Sequence, residues 1–171
     1  MGTDNIKLYN KEIIAQITHT LLTDFNVFQI NTNVVKLANL LHMNVIPATF
    51  KDDSIAGLLK FENGQVNIYV NEYQSVNRQR FTIAHEIGHF ILHKDFIKGQ
   101  KINAFYRKDF DNFSDPIEQQ ANLFAANLLM PEKVIKNLWE TYKSTSYIAN
   151  ILKVSEQAVN IRLITLGVIN V

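Results

Sequence analysis

The sequence predicts an α+β domain: helices first, then a small antiparallel β-sheet, then helices again. Three observations carry this. The chain opens with an apolar stripe at helical spacing, Ile13, Ile14, Ile17 and Leu21. Its middle, "IAGLLKFENGQVNIYVN", holds two extended runs around Asn63-Gly64, a pair suited to a tight type I′ hairpin turn. Beyond residue 78, helical patterns return.

The elements follow in order. The first stripe predicts a helix over 11–23. A second helix is expected at 33–42, with Val34, Leu37, Ala38 and Leu41 inward and Asn31 or Thr32 as its cap. "NVIPATF" reads as a short strand near Val45, and Pro47 argues for an edge or a strand end. In the hairpin, Val66, Ile68 and Val70 alternate with Asn67 and Tyr69, giving one apolar and one polar face. The strand Gln65 to Val70 has two readings: a sheet edge, where free backbone groups can pair with an extended peptide, or an interior strand paired on both sides. The next helix covers 78–93. A polar, aromatic-studded segment, "KGQKINAFYRKDFDNFSD", separates it from a helix at 116–129. Asp115 is a good cap there, and Pro116 suits the first helical position. Pro131 starts another helix that runs to residue 143. The tail "STSYIANILKVSEQAVNIRLITLGV" reads as two short helices, the second capped by Ser155 and stopped by Gly167.

Bulk properties narrow the function. The 171 residues suit one compact domain. Apolar residues at 47% and charged residues at 19% describe a folded chain. A net charge of +1 gives no bulk argument for nucleic acid or an anionic membrane. The absence of cysteine excludes disulfide scaffolds, thiol catalysis and cysteine-ligated zinc, and it fits a reducing cytoplasm. "MGTDNIKLYN" lacks the apolar run of a signal peptide, and Ile6 stands where a myristoylation signal wants Ser or Thr. No stretch of about 18 apolar residues exists, so no membrane partner is expected.

The chemistry concentrates in "FTIAHEIGHF", Phe81 to Phe90. His85 and His89 share one helix face, one turn apart, and two imidazoles so placed can reach one tetrahedral metal. Glu86 is rotated one step, beside the metal but not on it, where it can take a proton from water. Gly88 costs about 1 kcal/mol against alanine in a helix, which a close helix or strand crossing would explain. The pattern needs a third ligand. His93 fails, because the helix from His85 to His93 spans about 12 Å. It reads as a helix-end residue, hydrogen-bonded or set against the C-terminal dipole. Glu118 opens the next helix and has two readings: a third ligand, or the closing member of a capping box with Asp115.

"RQRFTIAHEIGHFILH" followed by "EQQANLFAANLLMPEKVI" closely resembles the ImmA/IrrE-type zinc metallopeptidases, often found in phage and mobile elements. The resemblance runs from about Ile30 to Leu166 and includes the hairpin and the late "VSEQAVNIRL". It implies a zincin-like core over residues 1–143, with 144–171 as a helical segment packed on it in one compact domain. It implies one Zn2+ per chain on His85, His89 and Glu118, with water in the fourth place and Glu86 as catalytic base. The implied substrate is a protein regulator, such as a helix-turn-helix repressor or an antitoxin-like protein.

Other features are weaker. The C-terminal helices have a helix-turn-helix look, with Ala149, Val154, Val159 and Leu163 inward. The expected exposed set, Glu156, Gln157, Asn160 and Arg162, is only weakly basic, so packing is expected rather than direct DNA binding. Arg78, Arg80, Tyr106 and Arg107 are candidates to stabilise an oxyanion, and the sequence does not choose among them. His19 and His42 have no partner pattern. The expected activity is a zinc endopeptidase of HExxH-plus-Glu type. The alternative is a non-catalytic module with a structural metal that binds a regulator or DNA. Glu86 favours the enzyme, because a structural site needs no base.

Overall fold

A computed structural model describes residues 8–27, 30–99, 104–108 and 115–170; for 95–99 and 104–108 it describes the backbone alone. The order of elements is α1 (Lys11–Asp24), α2 (Val34–Leu40), β1 (Met43–Ala48), β2 (Ile55–Glu62), β3 (Gln65–Asn71), α3 (Val76–Gly99), β4 (Ala104–Lys108), α4 (Pro116–Leu129), α5 (Glu132–Tyr142), α6 (Thr145–Leu152) and α7 (Glu156–Thr165). The architecture is α+β, as the sequence predicts. Among the described residues no helix is long and apolar enough to cross a membrane.

Local chemistry sets the boundaries. Asn10, Asn33, Asp115, Ser144 and Ser155 each cap a helix by accepting a backbone N–H in its first turn. The cap of α2 is therefore Asn33, not Asn31 or Thr32. Thr32 is buried and donates its hydroxyl to the Leu128 carbonyl at 3.2 Å. Gly167, at φ +65°, stops the last helix.

Asn63 and Gly64 turn the β2–β3 hairpin with φ of 52° and 76°, the paired positive values that a type I′ turn requires. The sheet order is β1-β3-β2-β4. It is mixed rather than antiparallel throughout, since β3 runs parallel to β1 and antiparallel to β2. The hairpin folds β3 back into the space between β1 and β2, and that placement gives it β1's direction. β3 is thus interior, and the edge reading of Gln65 to Val70 is not found. The edges are β1, where Pro47 lies, and β4. β4 falls in the segment expected to be a plain connection. It pairs with β2 from Lys60↔Ala104 to Ile55↔Lys108 with an irregularity at Ile55/Gly57, and five residues without alternation gave no period to read.

The polar side of the hairpin is paired. Asn67 bonds Asn44 and Glu62 at 2.9 Å, and Tyr69 donates to Glu62. Hydrogen bonds from Lys60, Tyr69 and Asn67 hold the Glu62 carboxyl down to about 2.

α3 lies close against the sheet. A Cβ at Gly57 would stand 2.5 Å from Thr82 Cγ2 and 2.7 Å from the Tyr69 carbonyl oxygen, so only glycine fits under the helix there. One core joins α1, the sheet, α3 and α4 to the C-terminal helices, through residues such as Ile14, Leu59, Ile68, Ile87, Phe124, Leu152 and Leu163. Two helix starts and ends tie α6 and α7 to this body. Asn77 donates to the Val154 carbonyl at 3.0 Å, and Arg80 Nε to the Lys153 carbonyl at 3.2 Å. Arg162, expected on the surface, is buried. Its guanidinium donates to the Met130 carbonyl at 3.2 Å and to Asn127 Oδ1 at 2.5 Å. The charge sits inside because two oxygens at the end of α4 take its protons.

Candidate metal centre

α3 carries His85 and His89 one turn apart on its buried face, at 0% and 1% exposure. α4 crosses it tightly at Gly88, where a Cβ would lie 3.1 Å from both Cβ and Cδ1 of Phe124. The missing side chain admits Phe124, and the close crossing brings the first turn of α4 against the histidines. Glu118 is in that turn.

Ligand atoms of three residues converge there. Glu118 Oε2 is 3.1 Å from His85 Nε2, Glu118 Oε1 is 3.1 Å from His89 Nε2, and the two nitrogens are 2.9 Å apart. Tetrahedral zinc with bonds of about 2.0–2.1 Å holds its ligand atoms roughly 3.3 Å apart. The observed spacings lie within a few tenths of an ångström of that, and the donor types are those zinc takes, so these residues fit a divalent ion. The histidines are sealed, whereas the Glu118 side chain is 19% exposed, so solvent reaches the cluster from the Glu118 side. The cap of α4 is made by Asp115, whose carboxylate accepts from Ile117 N at 2.9 Å. Glu86 follows His85 directly and is fully buried; it is not one of the three converging residues.

Further partners, missed in the sequence, orient the histidines. Asn122 Oδ1 lies 3.0 Å from His85 Nδ1. An amide oxygen only accepts, so His85 donates from Nδ1 and keeps its Nε2 lone pair for the cluster. Asn122 stands one helical turn beyond Glu118, and that spacing was the available signal. His93 is not at a helix end, because α3 continues to Gly99. It is buried, with Nδ1 3.3 Å from His89 Nδ1 and Nε2 3.1 Å from Gln120 Oε1. Burial pushes its imidazole down to about 4, so the ring is neutral. His19 and His42 are exposed and are not among the converging residues. Of the oxyanion candidates, Arg80 donates from Nε to the Lys153 carbonyl in the α6–α7 turn, Arg78 lies in the first turn of α3, and the side chains of Tyr106 and Arg107 lie outside the described residues.

A family model for the IrrE N-terminal-like domain of peptidases matches residues 40–164. The chain belongs to the ImmA/IrrE metallopeptidase family. The chain is similar to the immunity region protein 2 of Bacillus phage phi105, 31% identical over 117 residues, which cover 68% of this chain and 67% of that one. The metallopeptidase ImmA of Bacillus subtilis is 35% identical over 82 residues, 46% of this chain and 44% of ImmA. The radiation response metalloprotease IrrE of Deinococcus radiodurans is 40% identical over 78 residues, 46% of this chain and 23% of IrrE. The match thus spans less than half the length of ImmA and of IrrE. A transcriptional regulator of Mycobacterium tuberculosis shares the fold, with a TM-score of 0.65 at 14% identity over 90% of this chain and 46% of the regulator.

Proposed function

We propose that this ImmA/IrrE-family chain is a zinc-dependent endopeptidase of the HExxH-plus-Glu type. The observation that carries the reading is the convergence of His85 Nε2, His89 Nε2 and Glu118 on two crossing helices, with neighbouring atoms 2.9–3.1 Å apart and Glu86 buried at the adjoining helix position. His85, His89 and Glu118 would hold one ion and leave one position for water. When bound, the ion supplies Lewis acidity to the scissile carbonyl and to the attacking water. Glu86 is the base: it accepts the proton that the water loses and passes it to the leaving amine. Its burial keeps competing water away from that carboxylate. Asn122 holds His85 in the ligating tautomer.

The substrate we propose is a protein regulator, a helix-turn-helix repressor or an antitoxin-like protein encoded near this chain on a phage or mobile element, met in the cytoplasm. The phage relative is named for an immunity region, which supports a regulatory substrate. Burial of Arg162 removes a basic side chain from the surface of α7 and argues against direct DNA binding. The test is co-incubation of the purified chain with that regulator, with zinc and with chelator, reading fragments by mass spectrometry. Defined fragments that need zinc are expected. A regulator left intact under every condition, alongside a zinc-loaded chain, would overturn the proposed substrate.

A further inference from the structure

We infer that His93 and Gln120 form a hydrogen-bond relay that fixes the tautomer of His89, making both of them positioning residues for the ion site. The inference rests on the metallopeptidase reading of that site. The relay can be followed atom by atom. Gln120 Nε2 donates to the Tyr9 carbonyl at 3.1 Å, which orients the amide. Its Oε1 then faces His93 Nε2 at 3.1 Å. An amide oxygen can only accept, so the proton of His93 is on Nε2. The His93 ring is enclosed and faces no carboxylate at hydrogen-bond distance among the described residues, so it is uncharged with one N–H, and its Nδ1 is a lone pair. That lone pair faces His89 Nδ1 at 3.3 Å, and His89 must donate there. His89 is left with a lone pair on Nε2, the atom that lies 3.1 Å from Glu118 and 2.9 Å from His85.

The alternative tautomer of His89 would point a hydrogen into the cluster and could not ligate. An imidazole is by itself an ambiguous partner, since either nitrogen can carry the proton; the Gln120 amide, held by Tyr9, removes the ambiguity. The relay therefore ends on backbone that precedes α1, outside residues 40–164 of the family match. Outer partners of ligating histidines commonly change metal affinity by about 10–100-fold when removed.

The test uses the full chain and reads zinc affinity by competition with a chromophoric chelator. His93→Leu keeps an apolar filler and loses the acceptor. His93→Asn keeps an acceptor oxygen at the place of the ring Nδ1. We expect the leucine variant to bind zinc about 10–100-fold more weakly and the asparagine variant to stay within about threefold of the parent. Parental affinity in the leucine variant, or equal losses in both at matched thermal stability, would make His93 a packing residue and overturn the relay. Long-range nitrogen–proton NMR of the imidazoles in the unaltered zinc-loaded chain decides the matter even if a variant does not fold. It should place protons on His93 Nε2 and His89 Nδ1; a proton on His93 Nδ1 refutes the relay. A chain that binds no zinc at all instead overturns the metal site itself.

Discussion

Two of the places where this molecule buries polar side chains do so in opposite ways. At the C-terminal junction, Arg162 is enclosed with its protons directed at the Met130 carbonyl and Asn127 Oδ1, a donor set against acceptors. At the α3–α4 crossing, His85, His89 and Glu118 turn acceptors toward one another, with 2.9 Å between two ring nitrogens. The first arrangement sets donors against acceptors that the protein itself supplies. The second is complementary to a cation that the side chains do not themselves supply. Burial of charge alone does not mark function; the sign and direction of the partners do.

Substitutions can break or sharpen this contrast. The largest effect is expected at Glu86. Glu86→Gln should keep the fold and the metal but lower turnover by about 10²–10⁴, because an amide cannot accept the proton. Cleavage within a factor of two of the parent, measured on the same regulator, would remove Glu86 from the role of base. Arg162→Met addresses the other region. It leaves the Met130 carbonyl and Asn127 without their donor, so stability should fall by about 2–3 kcal/mol in urea melts while zinc affinity stays within about threefold. A large loss of zinc affinity at unchanged stability would mean that the two regions are not distinct.

Adding or removing the ion probes the same contrast from the metal side. With free zinc at about 100 times its Kd, binding should raise stability by about 2.7 kcal/mol, and chelator should reverse the gain in a thermal melt. The Arg162→Met variant should show the same gain from zinc as the parent. The smallest effect is expected at Gly88. Alanine there improves helix propensity by about 1 kcal/mol. It also meets Phe124 at 3.1 Å, and overpacking of this kind costs about 1–3 kcal/mol. A net loss near 1 kcal/mol and a severalfold weaker zinc affinity are expected, since α4 and Glu118 shift together.

Much of this was legible because the signals are local. Asn63-Gly64 reported the hairpin, Asp115-Pro116 the start of α4, and the i, i+4 histidines their shared face. Gly88 announced a close crossing through its cost in a helix, although not that Phe124 would fill it. The failures are where non-local packing decides. β3 shows the same alternation whether it lies inside the sheet or at its edge, and only the insertion beside β1 settles its place. Arg162 looks like a surface arginine until the end of α4 supplies two oxygens. His93 looked terminal because helical patterning faded after it, whereas the backbone of α3 continues to Gly99. Glu118 could be a cap or a ligand by spacing alone; the crossing turned both of its oxygens to the histidines.

The central claim is that His85, His89 and Glu118 hold one divalent ion. It is tested most directly by elemental mass spectrometry of protein purified without chelator and then dialysed against limiting zinc. The parent chain should carry about one ion per chain, and Glu118→Ala, equally folded by circular dichroism, should carry far less. A parent ratio near zero that does not rise on adding zinc, or full occupancy in Glu118→Ala, would contradict the claim.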